Sequence, residues 1–229
     1  MNNPQPIAPV VYEGQFGPYT IDDSDRRGVL IYRAGLMIAA LSFAVGTKLV
    51  LSQDLAPDSL RWLTPLYTLF CAALGVSLLT IHIYMAALHR VLQGFWLVGV
   101  IASLVAAHAD PEPFALTVYQ NPIALVGVGF LFAALTGIFF KEAFCFNRLE
   151  TKLLTPLVPF LMLGHLVHGL PIATEQVLLG AWAVLLMVFA IRKTFQVIPA
   201  DIGDKSVFEY LKQQSNPQSL EELPNSPSS

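Results

Sequence analysis

Apolar residues fall into six long runs, roughly Tyr32–Leu51, Leu63–Leu88, Val91–Ala107, Pro122–Phe140, Leu153–Leu170 and Val177–Ile191. Most charged residues fall in the stretches between them. At about 1.5 Å rise per helical residue, each run approaches the ~30 Å of a bilayer's hydrocarbon core, the last being short. The pattern predicts an all-α, polytopic integral membrane bundle of six transmembrane helices over residues 28–197. Residues 1–27 are rich in Pro, Gly and Asp and predict an irregular N-terminal arm with interfacial aromatics Tyr12, Phe16 and Tyr19. Residues 198–229 predict a largely disordered tail, in which Val207, Phe208, Tyr210 and Leu211 mark one short helix over Asp204–Gln214.

Local signals set the expected boundaries. Asn121-Pro122 offers a capping side chain followed by a ring suited to the first turn of the fourth helix. Thr64-Pro65 predicts the same start for the second. Pro156 and Pro159 predict an irregular opening or kink in the fifth, and Gly169-Leu170-Pro171 its end.

The placement of charge orients the bundle. With the N-terminus inside, eleven Lys and Arg residues fall on the cytoplasmic side: Arg26, Arg27, Arg33, Arg90, Lys141, Arg148, Lys152, Arg192, Lys193, Lys205 and Lys212. Only Lys48 and Arg61 fall on the other. This positive-inside bias predicts that both termini are cytoplasmic. Arg33 and Lys48, near opposite ends of the first helix, are expected to snorkel to their interfaces. The first 27 residues lack an apolar stretch of signal-peptide type, so the first helix is expected to remain as an anchor. A composition of 13% charged and 55% hydrophobic residues agrees with a bilayer home; the net charge of −3 adds nothing. The two cysteines, Cys71 in mid-span and Cys145 at the membrane edge, differ too much in depth to form a disulfide.

Charged residues are nearly absent from the predicted spans, which argues against a proton pump or an ion-coupled carrier. Three groups of residues can carry chemistry. His165 and His168, three apart on one helix, share a face, and His108 and Glu112 lie at the same outer side, so a mixed His/carboxylate metal site is geometrically open. The plain alternative is that these histidines bond other helices or face water. A haem between His82 or His89 and His165 is the second possibility. Depth opposes it, because His82 and His165 are offset by about 15 Å along the membrane normal. The third group is the linker Lys141–Lys152, where Lys141, Glu142, Cys145 and Arg148 mix both signs of charge with a thiol. It reads as an interfacial segment with local ion pairs, as a docking surface for another protein, or as a site for a thiol of lowered pKa. Walker and Rossmann glycines, HExxH, GxSxG and a basic nucleic-acid-binding face are all absent from the sequence. No cofactor is strongly implied.

Two stretches also carry a family likeness. One is Tyr12-Glu-Gly-Gln-Phe-Gly17 with Asp25-Arg26 and Tyr32-Arg33-Ala34-Gly35. The other is Gly137-Ile-Phe-Phe-Lys141-Glu142-Ala143-Phe144-Cys145-Phe146. Across about residues 10–200 the chain resembles an integral membrane family of cyanobacteria and plastids, domain of unknown function 2301. The resemblance implies a cyanobacterial plasma (inner) or thylakoid membrane and carries over no catalytic residue. Function therefore reads as a non-catalytic partner, scaffold or assembly factor of a larger membrane complex, with the lipid bilayer and other membrane proteins as partners and no nucleic acid. A metal- or haem-binding redox protein and a small-solute permease are the alternatives.

Overall fold

The structure is a computed structural model, and it describes residues 10–52, 57–83, 85–109 and 111–214. Two strands, β1 (Val11–Gly14) and β2 (Gly17–Thr20), are followed by nine helices among the described residues. They are α1 (Asp23–Leu51), α2 (Pro57–Thr80), α3 (Ala86–Ala109), α4 (Phe114–Gln120), α5 (Pro122–Phe146), α6 (Leu149–Leu166), α7 (Ile172–Thr194), α8 (Ile198–Ile202) and α9 (Lys205–Gln214). The chain divides into two units, residues 30–196 and the two ends of the chain, 1–29 with 197–229.

In the larger unit, five helices are long and apolar enough to cross a membrane: α1, α2 from Leu60, α3, α5 and α7. The sixth predicted span is α6, only 18 residues long, with Pro156 and Pro159 inside it. It packs against α5 and α7. The core is a continuous apolar cluster that includes Leu36, Leu74, Leu131, Leu135, Ile138 and Phe189, all at most 1% exposed. Small residues set how closely the helices cross. A Cβ on Gly99 of α3 would meet the backbone nitrogen of Leu131 at 2.5 Å, and one on Gly35 of α1 would meet the carbonyl of Ala73 at 2.7 Å.

Several boundaries differ from the sequence expectation, each for a local reason. The cap at Asn121 holds: its side chain accepts from the Ile123 and Ala124 N–H groups at 2.9 and 3.3 Å. Helix α2 instead begins at Pro57, so Pro65 lies inside it and does not start it. The run 63–88 is broken after Thr80, and His82 sits in the non-helical connector before α3. Helix α5 continues through Lys141 to Phe146, which leaves only Asn147 and Arg148 between it and α6. Asn147 makes that tight reversal with φ of 52°, a left-handed conformation that asparagine tolerates better than most residues. Helix α7 has 23 residues, so the last run is not short. The outer connection before α5 holds the short helix α4, which apolar periodicity did not announce. Arg33 is buried rather than snorkelling outward, whereas Lys48 is exposed.

The smaller unit corrects the expectation of an irregular arm. Strands β1 and β2 pair antiparallel, with Tyr12 opposite Tyr19 and Gly14 opposite Gly17. A two-stranded hairpin is marginal alone. This one is secured at its turn, where the Gln15 N–H donates to Asp204 Oδ2 at 2.6 Å and the Phe16 N–H to Ser206 Oγ at 3.0 Å. The Phe16 and Tyr210 rings stack at 4.0 Å. Ile21, Val29 and Ile202 form a small buried core. Asp22 and Asp25 cap α1 reciprocally, each carboxylate accepting the other's backbone N–H at 2.8 and 3.0 Å. Lys205 then donates to Asp25 at 2.7 Å. Helix α9 matches the predicted tail helix, and the tail from Ser215 lies outside the described residues.

Asp204 joins the two ends of the chain, because it also accepts from the Ser206 N–H at 2.9 Å at the start of α9. The Ser206 hydroxyl, the Gln15 N–H and the backbone N–H groups of α9 hold its carboxyl below the ordinary value of 3.8. A carboxyl depressed in the folded state contributes stability above the unfolded pKa and loses it as pH falls through the folded one. Amide hydrogen exchange should therefore show Gln15 and Phe16 protected at pH 6 and progressively released below about pH 4. Asp204→Ala should release them at both pH values while the long helices stay protected. Protection unchanged in Asp204→Ala would mean the hairpin holds without this clasp.

Candidate functional site

Two of the buried stripes in the bundle end in charge. On α5 the inward positions Val128, Leu131, Leu135, Ile138, Phe139 and Glu142 follow the three-and-four spacing of one helix face. On α7 the stripe Trp182, Leu186, Phe189 and Lys193 does the same. Both terminal residues have no exposed surface. The Lys193 ammonium lies 2.9 Å from Glu142 Oε2, an ion-pair contact whose direction at the oxygen is not that of a hydrogen bond. The other carboxylate oxygen, Oε1, accepts from the Tyr32 hydroxyl of α1 at 3.2 Å and from Lys141 Nζ at 3.0 Å. Glu142 thus ties together α1, α5 and α7.

Aromatic rings complete the surroundings of the cations. Lys193 Nζ stands 4.7 Å from the Phe146 ring centre and 5.4 Å from that of Tyr32. Lys141 and Arg148 approach the same Phe146 ring at 5.5 and 5.6 Å. Beside this group, buried Glu150 of α6 accepts from Arg192 of α7 at 2.8 Å, and Arg148 donates to Gln196. Glu150 Oε1 and Arg148 Nη1 are buried without a hydrogen-bond partner among the described residues. The end of the bundle where α5 turns into α6 is therefore a polar layer linking four helices, sealed by Phe146 and backed by the apolar core. Its chemistry is cohesion. Desolvating each charge is costly, and the partner on the next helix offsets that cost only while the helices stay together.

The four residues expected to form a docking linker separate here. Glu142 faces inward and is consumed by the layer, as is most of Lys141. Arg148 is half-buried. Cys145 alone is exposed, beside Phe144 at 85%. Sequence reasoning assigned Glu142 and Lys193 to cytoplasmic connections because hydropathy falls there. Extending the helical stripes by one further step would have found both.

At the opposite end of the bundle, the His165 and His168 rings stand 6.4 Å apart edge to face, but they form no group with His108 and Glu112. Helix α6 stops at Leu166, so His165 and His168 do not share a helix face. His168 has φ of 53° and closes a Schellman turn: its N–H reaches the His165 carbonyl, and the Gly169 N–H reaches that of Gly164, both at 2.9 Å. His165 is engaged at both ring nitrogens, by Glu175 Oε1 at 2.8 Å and the Tyr119 carbonyl at 3.0 Å. His108 bonds the Leu104 carbonyl of its own helix, and Glu112 is exposed. Among the described residues no three His, Cys, Asp or Glu side chains group closely enough to hold a metal ion. Of the haem candidates, His82 lies in the connector after α2 and His89 in the first turn of α3. The His89 ring reaches back from the first turn of α3 to the Leu78 carbonyl at 2.6 Å.

The model of a family described as "Uncharacterized integral membrane protein (DUF2301)" matches residues 76–210. The chain belongs to this family. The DUF2301 match takes in Glu142, Glu150, Arg192 and Lys193, but not Tyr32. A Haemophilus influenzae protein described as "Uncharacterized protein" is 28% identical over 190 residues, 82% of this chain and 94% of its own length. That relative comes from neither a cyanobacterium nor a plastid, the origin that the resemblance implied. No solved structure matches the chain.

Removing one partner of the buried pair strands a charge. Glu142→Gln should destabilise the purified protein by about 3–5 kcal/mol, the usual cost of breaking a buried ion pair. Tyr32→Phe removes one donor to the same carboxylate and should cost about 1 kcal/mol. Denaturation followed by tryptophan fluorescence in mild detergent measures both; equal, near-zero losses would refute the three-helix tie.

Proposed function

We propose that this integral membrane protein is a non-catalytic component of a larger membrane assembly, built from six spans with both termini in the cytoplasm. The eleven-to-two sorting of basic residues supports the orientation. An even number of spans requires α6 to cross. Its 18 residues give about 27 Å at 1.5 Å per residue, close to the hydrocarbon thickness, and Leu153, Phe160 and Leu163 present an exposed apolar face to lipid. The relative in H. influenzae favours the plasma (inner) membrane over the thylakoid.

One observation carries the reading of function. The carboxylates buried in the bundle, Glu142 and Glu150, are each bonded to a cation of another helix. Interior charge is used for cohesion, which suits a rigid component better than a proton or solute carrier. The surface of the α5–α6 corner, with Phe144, Cys145 and Leu149 exposed, is the docking site in this reading, and its occupant is another integral membrane protein. A permease for polar solutes is disfavoured by the closely packed apolar core around Leu131, Leu135, Ile138 and Phe189, which adjoins the polar layer.

Cys145 tests both halves, since the other cysteine, Cys71, is buried. In intact cells a membrane-impermeant maleimide should label Cys145 only after permeabilisation. In native membranes a bifunctional maleimide should give a discrete higher-mass adduct that Cys145→Ser abolishes. Labelling from outside would reverse the orientation, and an uncrosslinked monomer under all conditions would contradict the assembly role.

A further inference from the structure

The outer half of the larger unit contains a half-open cavity of about 300 Å³. Helices α1, α2, α4 and α5 form its walls, and single residues of α6 and α7 complete it. Its floor is aromatic. Phe43, Phe70 and Phe132 line it, with ring centres 5.7 to 6.4 Å apart, and Trp182 backs them at 4.5 Å from Phe43. Helix α4 contributes Phe114 and Val118 to the opposite wall. By bulk volume the space equals about ten waters, but each buried water needs two to four polar partners. The wall does not supply them. The Ser42 hydroxyl is given to the Ile38 carbonyl at 2.8 Å, and the Tyr67 hydroxyl is shared with Ser103 at 2.6 Å. Both nitrogens of His165 are occupied, as described above. A polar solute would meet the same deficit. The medium around the outer ends of these helices is lipid, whose chains need no hydrogen bonds.

We propose that this cavity holds one hydrocarbon chain, acyl or isoprenoid, of a membrane amphiphile, with its polar end at the rim formed by His165, Glu175 and the Tyr119 carbonyl. The lining sets the chain's class, and His165 and Tyr119 are where that lining meets polar groups. Gly46 lies in the wall with its nearest neighbour, a Leu63 methyl, 3.8 Å from where a Cβ would stand, so a larger side chain there fills the space. Gly94 on α3 faces open space and serves as control.

The full chain, purified in detergent, is irradiated with diazirine-bearing palmitic acid and, separately, diazirine-bearing farnesol, and the labelled peptides are mapped. The proposal expects saturable labelling of cavity-wall peptides from α1, α2, α4 or α5. Gly46→Leu should reduce it about tenfold or more, and Gly94→Leu should leave it unchanged. Ala115→Leu, which fills the same cavity from α4, replaces Gly46→Leu if that variant does not fold. Saturable labelling by palmitate, by farnesol or by both supports the site and assigns the chain type. Labelling by neither, labelling that does not saturate, or labelling indifferent to both cavity-filling variants overturns it.

Discussion

A carboxylate and an ammonium removed from water at one end of a helical bundle must satisfy each other. Glu142 and Lys193 do so at 2.9 Å with no exposed surface on either. In an aqueous protein such a pair is weak evidence of stability, because apolar replacements often serve as well. Near lipid the alternative to pairing is a charge facing hydrocarbon or a helix drawn out of register toward water. The pair therefore fixes how far α5 and α7 are inserted relative to each other, and the Tyr32 hydroxyl fixes α1 to both. Between α6 and α7, buried Glu150 pairs with Arg192, whose side chain reaches the surface.

With that end held in this way, the bundle divides along its length. Around Leu131, Leu135, Ile138 and Phe189 packing is complete. Farther out, past the Phe43, Phe70, Phe132 and Trp182 rings, α4 covers a space that side chains do not fill. Cohesion at one end and an apolar cavity at the other are compatible because the aromatic floor separates them. The clasp of Asp204 with Gln15 and Ser206 belongs to the other unit and is a separate stabilising device.

Five apolar helices long enough to cross a membrane were legible because lipid leaves a strong compositional trace, and the Asn121-Pro122 cap was legible because its chemistry is local. What escaped was every feature that depends on helices meeting. Hydropathy falls at Lys141-Glu142 and at Arg192-Lys193, and read one residue at a time that fall marks the end of a span. Only the pairing across α5 and α7 makes Glu142 and Lys193 interior. The spacing of His165 and His168 suggested a shared face, but a Schellman turn intervenes, and its left-handed residue is a histidine where glycine is usual. The break between Thr80 and Ala86 lies within an apolar run whose residues carry no turn signal. The hairpin at Val11–Thr20 depends on contacts with Asp204 and Ser206, some 190 residues away in sequence.

Exchanging the buried charges tests the central claim most directly. Glu142→Lys alone and Lys193→Glu alone each place like charges together in a dry site and should prevent accumulation of folded protein. The double exchange restores opposite charges at the same two positions and should recover a folded, monodisperse protein in mild detergent, with a clear rise in melting temperature over either single variant. A double variant no better than the singles would show that these two side chains do not hold the helices through their mutual attraction.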